Sequence, residues 1–205
     1  MREKDLFVIR HGKTPLNFEG RALGASDPDL SEEGRMEVKE LVYHLRDNDV
    51  SPQTIYTSPL KRSRETAEIL QESLGGNLIE DPLLREVDYG SYEGGSRETL
   101  REIDYGYNIQ KMKEGQGETV EEVEKRASAF LRNILDTNDN SILVITHAFT
   151  ASVITQLMMN VPRTFDTIQA LPTASYNYFR VGKGGENSFS VLTTQRNCFK
   201  APLDI

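Results

Sequence analysis

Apolar and polar positions alternate with two different periods along most of the chain. Short runs of β-branched and apolar residues predict strands, and segments with helical periodicity separate the earlier runs. The predicted strands cover residues 6–9, 54–57, 77–79, 142–146, 176–181 and 189–193. Because parallel strands need crossover connections, this alternation favours a largely parallel sheet with helices on both faces.

Four helices are predicted from apolar residues spaced three or four positions apart. The inner faces of the first two consist of Val38, Leu41, Val42 and Leu45, and of Ala67, Leu70 and Leu74. Ser31 is a candidate N-cap for the first. The third is the clearest, because Thr119 and Glu122 form a capping-box pattern ahead of an apolar face. The fourth covers about residues 150–159.

These elements predict an α/β fold class, namely a three-layer α/β/α sandwich with a mainly parallel sheet. Between residues 93 and 117 the pattern weakens into a polar segment rich in tyrosine and charge, which predicts a small lid-like insertion over the site. No internal repeat, low-complexity tract or linker divides the sequence. We therefore expect residues 1–205 to form a single domain.

Composition narrows the class of protein and of ligand. Hydrophobic residues make up 37% of the chain and charged residues 27%, and no apolar run approaches membrane-spanning length. The net charge of −8 repels nucleic acid and anionic lipid, so an anionic ligand must be drawn by a local basic pocket. Cys198 is the single cysteine, and the N-terminus lacks a signal-peptide pattern. We expect a cytoplasmic protein with a small anionic ligand and without nucleic-acid or membrane partners.

The strongest local feature is Arg10-His11-Gly12, directly after the first predicted strand. Ligands of open α/β sheets bind beyond the carboxyl ends of strands, so this tripeptide lies where a site is expected. Arg10 can bind phosphate oxygens, His11 offers a nitrogen nucleophile, and Gly12 lets the backbone approach a ligand closely. The alternative is a hydrogen-bonded histidine at a strand end beside a surface arginine.

A second histidine, His147, follows the predicted strand at residues 142–146. Two parallel strands that each end on a histidine can bring both imidazoles to one crevice. Taken alone, His147 would be interpreted as a core histidine. The matching position of His11 favours a shared site in which His147 is a phosphate ligand.

Several ordered motifs resemble those of the histidine phosphatase superfamily, the phosphoglycerate mutase-like enzymes. The resemblance covers nearly the whole chain. It rests on RHGKT at 10–14, Asn17, GRALGASDPDLSEEG at 20–34, TSPLKRSRETAEIL at 57–70, LREVDYGSYEG at 84–94, GET at 117–119 and VITHA at 144–148.

The resemblance implies that His11 is phosphorylated during turnover. Arg10, Arg62 and His147 would enclose the phosphoryl group, and Asn17 would add a hydrogen-bond donor. Such a site needs no metal or other cofactor, because two guanidinium groups and a protonated His147 stabilise the spread negative charge. His11 must instead be neutral in order to attack, so the two histidines need different protonation states.

The resemblance also assigns Glu86 as the proton donor to the leaving oxygen and then as the base that activates water. That role requires a raised pKa for Glu86. From chemistry alone Glu86 is not distinguished from Glu80, Asp81 or Asp88. Likewise only the family pattern selects Arg62 over its neighbours Lys61 and Arg64, which are interpreted as surface residues.

Further substrate contacts are implied at four positions where family members bind the rest of the substrate: Arg21, Leu23, Gly24 and Tyr92. Ala148 replaces the glycine that many relatives have after the second histidine. Its N–H can still donate to phosphate, while its side chain narrows the allowed backbone angles and adds a methyl group. We expect this change to tune the pocket without abolishing activity. A metal site formed by His11, His147 and Glu86 lacks supporting close spacing, and His44 is interpreted as structural or exposed.

The family resemblance leaves three functions open. A phosphatase acting on a small phosphorylated metabolite is favoured, because the insertion at 93–117 is modest and DYGSYEGG differs from the corresponding mutase segment. A cofactor-dependent phosphoglycerate mutase is the first alternative, and a non-catalytic phosphate- or phosphoprotein-binding domain is the second. Tyr89, Tyr92, Tyr105 and Tyr107 could contact sugar phosphates, nucleotides or aromatic phosphates, or could be ordinary packing residues. A homodimer is kept as one option for the assembly.

Overall fold

The fold is built on six strands, seen in a computed structural model that describes residues 3–161, 171–183 and 189–197. The strands are β1 (Lys4–Arg10), β2 (Thr54–Thr57), β3 (Asn77–Glu80), β4 (Ser141–Thr146), β5 (Tyr176–Lys183) and β6 (Phe189–Asn197). They form one sheet in the order β3-β2-β4-β1-β5-β6. All the predicted strands are confirmed. Cys198 lies outside the described residues.

Strand direction follows from the connections. The pairs β3 with β2, β2 with β4 and β4 with β1 are parallel, and helices lie between these strands in the sequence. β5 is antiparallel to both β1 and β6. The predicted mainly parallel sheet is therefore confirmed, with one reversed strand, β5, near one edge.

The helices are α1 (Pro15–Glu19), α2 (Glu32–Asp47), α3 (Lys61–Leu74), α4 (Arg97–Glu102), α5 (Ile109–Glu114), α6 (Val120–Leu135) and α7 (Ala148–Met159). Both predicted caps are present: the Ser31 side chain accepts from the Gly34 N–H, and Thr119 and Glu122 form the capping box of α6. α7 starts at residue 148 and not at about 150, because its first turn is capped by a side chain distant in sequence, as described below.

Two apolar cores lie on opposite faces of the sheet, as the alternation of side chains along a strand requires. Leu6 and Val8 of β1 face one core, which includes residues of α6 and α7. Phe7 and Ile9 of the same strand face the other core, which α2 and α3 complete. The three-layer α/β/α sandwich is thus confirmed. The single-domain organisation stays a prediction.

The insertion at 93–117 contains α4 and α5 and is joined by hydrogen bonds to the loop that follows α1. The backbone of Ala22 exchanges two of these bonds, donating to the Gly95 carbonyl at 2.9 Å and accepting from the Gly94 N–H at 3.0 Å. The Glu93 carboxylate accepts from the N–H groups of Gly24 and Ser26. These contacts fix the start of the insertion against the 20–26 loop.

We predict that Phe130→Ala lowers the free energy of unfolding by about 3–5 kcal/mol, because it removes a large side chain from a filled core. Phe130 is fully buried on α6 and its ring packs edge-on against Tyr56. Met36→Ala on α2 is the control, since Met36 is 57% exposed, and it should change stability by less than about 0.5 kcal/mol. Urea denaturation followed by circular dichroism measures both, and equal losses would contradict this assignment of the core.

Candidate active site

His11 and His147 lie side by side at the carboxyl ends of two adjacent strands. β1 and β4 pair in parallel with Arg10 opposite Thr146, so the next residue of each chain segment emerges at the same edge. The His11 N–H donates to the Thr146 carbonyl at 3.0 Å. The two imidazole centroids are 5.1 Å apart. The structure therefore brings together the two histidines that the sequence places far apart.

The hydrogen bonds of His11 define which ring nitrogen is free to attack. Nδ1 lies 2.7 Å from the Gly12 carbonyl, which only accepts, so Nδ1 carries the proton. Nε2 accepts from the Arg62 Nε–H at 3.3 Å. The lone pair of Nε2 therefore faces a cationic group.

Close backbone packing explains why Gly12 follows His11. A Cβ atom at this position would lie 2.7 Å from the Gly34 carbonyl oxygen and 2.8 Å from a methyl group of Val38. The Gly12 N–H donates to the Thr66 hydroxyl at 3.1 Å. α2 and α3 thus fix the turn that holds the His11 ring.

The environment of His11 favours its neutral form. Burial lowers its pKa well below 6.5, the positive charges of Arg62 and Arg10 lower it further, and the Gly12 carbonyl only partly opposes them. A neutral imidazole is the form that can act as a nucleophile near neutral pH.

His147 is oriented by Ser58, at the end of β2. The Ser58 hydroxyl lies 2.8 Å from His147 Nε2 and accepts from the Leu60 N–H at 3.3 Å. A hydroxyl that accepts from this N–H can donate its own proton to Nε2, which leaves the proton of His147 on Nδ1. Nδ1 is buried and has no hydrogen-bond partner.

The groups around His147 do not favour its expected imidazolium form. Burial lowers the pKa of His147 well below 6.5, and Arg62, His11, Arg126 and Arg10 lower it further. None of these neighbours is an acid that could stabilise a positive charge. Both shifts favour the neutral imidazole, and the expectation that the two histidines differ in protonation state during turnover stays a prediction.

Arg62 is a fully buried guanidinium aimed at the two histidines. Nη1 donates to the Ser26 carbonyl at 2.6 Å and Nη2 to the Gly24 carbonyl at 3.0 Å. Burial lowers the pKa of Arg62 to about 10, so it remains protonated at neutral pH. Arg64 behaves differently, with a side chain 44% exposed and carboxylates of α3 and β3 beside it.

Arg10 supplies a second guanidinium at the same edge. Its Nη1 donates to the Leu171 carbonyl at 2.6 Å, and burial lowers the pKa of Arg10. Within the described part of the chain, Arg10 Nε and His147 Nδ1 are the two buried side-chain polar atoms without a hydrogen-bond partner. Both are nitrogen donors, and Arg10 lies close enough to His147 to lower its pKa, so the arrangement lacks an acceptor and suits an anion.

Glu86 lies against the first turn of α7. Its carboxylate accepts from the N–H groups of Phe149 and Thr150, each at 3.1 Å, and from the Val87 N–H at 3.1 Å. A carboxylate at this position satisfies helix N–H groups and complements the helix dipole, which explains why α7 begins at Ala148. The Ala148 N–H is not among these donors to Glu86.

The other expected contacts, which stay predictions, have the following surroundings. Asn17 Oδ1 accepts from the Thr14 N–H and hydroxyl, which leaves its Nδ2 able to donate elsewhere. Arg21 is exposed and donates to the Gly94 carbonyl at 3.0 Å, and Leu23 is buried. The Gly24 carbonyl accepts a hydrogen bond from Arg62 Nη2. Tyr92 packs against Gly115 within the insertion.

Two of the tyrosines considered as substrate contacts are packing residues. Tyr89 is buried in the core, where burial raises its pKa well above 10. The Tyr107 ring packs on Phe149, with centroids 4.8 Å apart, and its hydroxyl accepts from Gln156 Nε2. Both tyrosine rings are therefore packed against other residues of the protein.

Sequence reasoning missed three contributors to the site. Ser58 orients His147, Glu93 holds the 20–26 loop, and Thr150 accompanies Glu86. The position of Ser58 directly after a predicted strand is the same signal that pointed to His11 and His147, so it could have been found. Glu93 and Thr150 act through tertiary contacts that carry no local signature.

His44, possible metal ligands and possible membrane-spanning helices lie outside the histidine pair and are described together. His44 Nε2 lies 3.1 Å from the Tyr176 hydroxyl, in agreement with a structural role. In the described ranges, no three His, Cys, Asp or Glu side chains are grouped so as to hold a metal ion. No helix in those ranges is long and apolar enough to cross a membrane.

Comparison with known proteins agrees with this geometry. A protein of Cronobacter sakazakii named "Probable phosphoglycerate mutase" is 31% identical over 164 residues, which cover 77% of this chain and 75% of that protein. A protein of Hydrogenobacter thermophilus named "Putative phosphoserine phosphatase 2" is 29% identical, with 77% and 80% covered. A mycobacterial glucosyl-3-phosphoglycerate phosphatase shares the fold with a TM-score of 0.80 at 20% identity, over 97% of this chain and 99% of that one.

The family assignment rests on a match along most of the chain. The profile of the histidine phosphatase superfamily (branch 1) covers residues 6–193. That span includes the two histidines, Arg10, Arg62 and Glu86. This protein therefore belongs to branch 1 of the histidine phosphatase superfamily.

Proposed function

We propose that this protein is a phosphomonoester hydrolase that acts on a small phosphorylated metabolite through a phosphohistidine at His11. The observation that carries the proposal is the pair of buried, unpartnered nitrogen donors, Arg10 Nε and His147 Nδ1, beside a neutral His11. Buried donors without acceptors are costly, so a site built this way is suited to bind an anion.

The phosphoryl group would take the acceptor positions that these donors lack. Arg10 Nε, His147 Nδ1 and the Ala148 N–H would donate to its oxygens, with Arg62 beside the attacking nitrogen. The negative charge of the bound group would raise the pKa of His147 and convert it to the imidazolium form. Asn17 would add its Nδ2 as a further donor. Binding of the substrate would thus produce the positive charge on His147 that stabilises the phosphoryl group during its transfer.

Transfer would proceed in two balanced steps. In the first, the His11 Nε2 lone pair attacks phosphorus, the bond to the ester oxygen breaks, and Glu86 gives that oxygen a proton, which releases an alcohol. In the second, Glu86 takes a proton from water, the water oxygen attacks phosphorus, and the P–N bond breaks. Inorganic phosphate leaves and His11 is regenerated. These steps use no metal or other cofactor.

A phosphoglycerate mutase is the second candidate, because several relatives carry that name. A mutase would transfer the phosphoryl group back to a bound phosphoglycerate and would keep water out. We favour hydrolysis, since the insertion at 93–117 is modest and a relative and a structural neighbour are named as phosphatases. A binding domain without turnover is disfavoured because the nucleophile, both arginines and Glu86 are all present.

We predict that His11→Ala lowers the hydrolysis of p-nitrophenyl phosphate by at least about a thousandfold, because it removes the nucleophile. The fold should persist, as judged by circular dichroism. His44→Ala is the matched control and should retain activity, since His44 lies on α2 and bonds to Tyr176. An acid-labile, alkali-stable phosphoryl label should appear on the wild-type protein and be lost in His11→Ala. Full activity in that variant would overturn the mechanism.

We predict that both site histidines are neutral at about pH 6 in the free protein, because burial and the neighbouring arginines lower both pKa values below 6.5. A group with a lowered pKa becomes charged only at a pH below that pKa. Adding inorganic phosphate or vanadate should raise the pKa of His147, because the anion stabilises the imidazolium form. Histidine-selected nitrogen NMR measures this, with His44 as the internal reference that should not respond.

Rates on a panel of phosphorylated metabolites distinguish the phosphatase from the mutase. We predict release of inorganic phosphate from at least one sugar phosphate, nucleotide or phosphoglycerate without any bisphosphate primer, because water is the proposed acceptor. Primer-dependent interconversion of phosphoglycerates that is faster than phosphate release would show the mutase instead.

A further inference from the structure

The backbone that leads into Glu86 is held at three successive carbonyl groups. Arg126 Nη1 donates to the Leu83 carbonyl at 2.6 Å, and the Thr146 hydroxyl donates to the Leu84 carbonyl at 2.8 Å. The Thr150 hydroxyl donates to the Arg85 carbonyl at 2.6 Å. These side chains belong to α6, β4 and α7, so three elements fix one short segment. We call the set of Arg126, Thr146 and Thr150 the carbonyl clamp.

Arg126 is the member of the clamp that is itself most firmly held. Its Nε and Nη2 donate to the two carboxylate oxygens of Glu118 at 2.7 and 3.0 Å, in a bidentate pair. The two side chains are 14% and 22% exposed. The Glu118 N–H in turn donates to the Asp88 carbonyl at 2.7 Å. The pair therefore fixes the chain on both sides of Glu86.

Thr150 connects the clamp to the carboxylate. Its N–H donates to Glu86 Oε1 at 3.1 Å, while its hydroxyl binds the preceding carbonyl of Arg85. Arg126 Nη2 donates to the same hydroxyl at 3.3 Å. One residue thus fixes both the backbone before Glu86 and its side chain, and Arg126 fixes that residue.

We propose that Arg126, anchored by Glu118 and acting through Thr150, is a positioning residue that sets the place of the Glu86 carboxyl group for proton transfer. The inference rests on the proposed role of Glu86 as proton donor. A general acid works only within hydrogen-bond reach of the leaving oxygen, and small displacements in a site reduce rates steeply. The simpler alternative is that the clamp only joins α6 to the core.

Leaving groups of different basicity separate these alternatives. A good leaving group such as p-nitrophenolate departs with little help from an acid, whereas phenolate and alkoxides need protonation. The value of kcat/KM reports the transfer step that contains this departure. A displaced Glu86 should therefore reduce kcat/KM for poor leaving groups selectively, while a purely structural loss should reduce it equally for all of them.

We predict that Thr150→Val and Arg126→Met each lower kcat/KM for phenyl phosphate by about a hundredfold and for p-nitrophenyl phosphate by less than about tenfold. Thr150→Ser keeps the hydroxyl and should restore wild-type selectivity. Arg126→Lys keeps the charge but loses the bidentate pair, so its kcat/KM for phenyl phosphate should lie between the values of the wild type and of Arg126→Met. Arg132→Met is the control, since Arg132 is an exposed arginine on the same helix and should leave both rates unchanged.

Glu86→Gln supplies the reference for complete loss of the proton donor. If Glu86→Gln steepens the dependence on the leaving group and the Arg126 and Thr150 variants do not, the positioning role is overturned while the proposed function stands. If Glu86→Gln itself leaves the dependence unchanged in an active enzyme, Glu86 is not the donor, and both assignments are overturned. Should Arg126→Met fail to fold, Thr150→Val and Arg126→Lys decide between the outcomes by the same measurement.

Discussion

The in-register parallel pairing of β1 with β4 is the contact on which the site depends. It sets Arg10 opposite Thr146, so His11 and His147 emerge together and their rings lie 5.1 Å apart. A slip of one residue would turn each apolar side chain of β4 toward the wrong core and would separate the rings. The two cores that fix this register therefore also fix the geometry of the site. The register of β1 with β4 is therefore the shared requirement of the packed cores and of the site.

Positive charge held by carbonyl groups is the second feature that organises this edge of the sheet. Arg62 donates to the carbonyls of Gly24 and Ser26, and Arg10 donates to the Leu171 carbonyl. These acceptors orient the two guanidinium groups without adding a negative charge. The charge of Glu86 opposes the lowering of both arginine pKa values by burial. Burial and the two arginines together lower the pKa of both histidines, which favours their neutral forms.

Glu86 joins the structure of α7 to the chemistry of the site. Its carboxylate accepts from N–H groups of the first turn of the helix, which would otherwise lack partners. The carbonyl clamp holds the backbone before it, and the Glu118–Arg126 pair connects that clamp to α6. The Glu86 carboxyl group is thus held in place by contacts from α6, β4 and α7.

The sequence alone determined the six strands, four of the seven α-helices in the described residues and the two strand-end histidines, because apolar periodicity and strand-end position are local properties. Family motifs then singled out Arg62 and Glu86 among neighbours of the same chemistry. Only the tertiary structure decided the surroundings that lower the pKa of His147, the start of α7 and the clamp of Arg126, Thr146 and Thr150. A pKa depends on burial and on every nearby charge, and a carbonyl can be bound by any donor that folding brings within reach. Neither the pKa nor the partner of a carbonyl can be deduced from the spacing of residues along the chain.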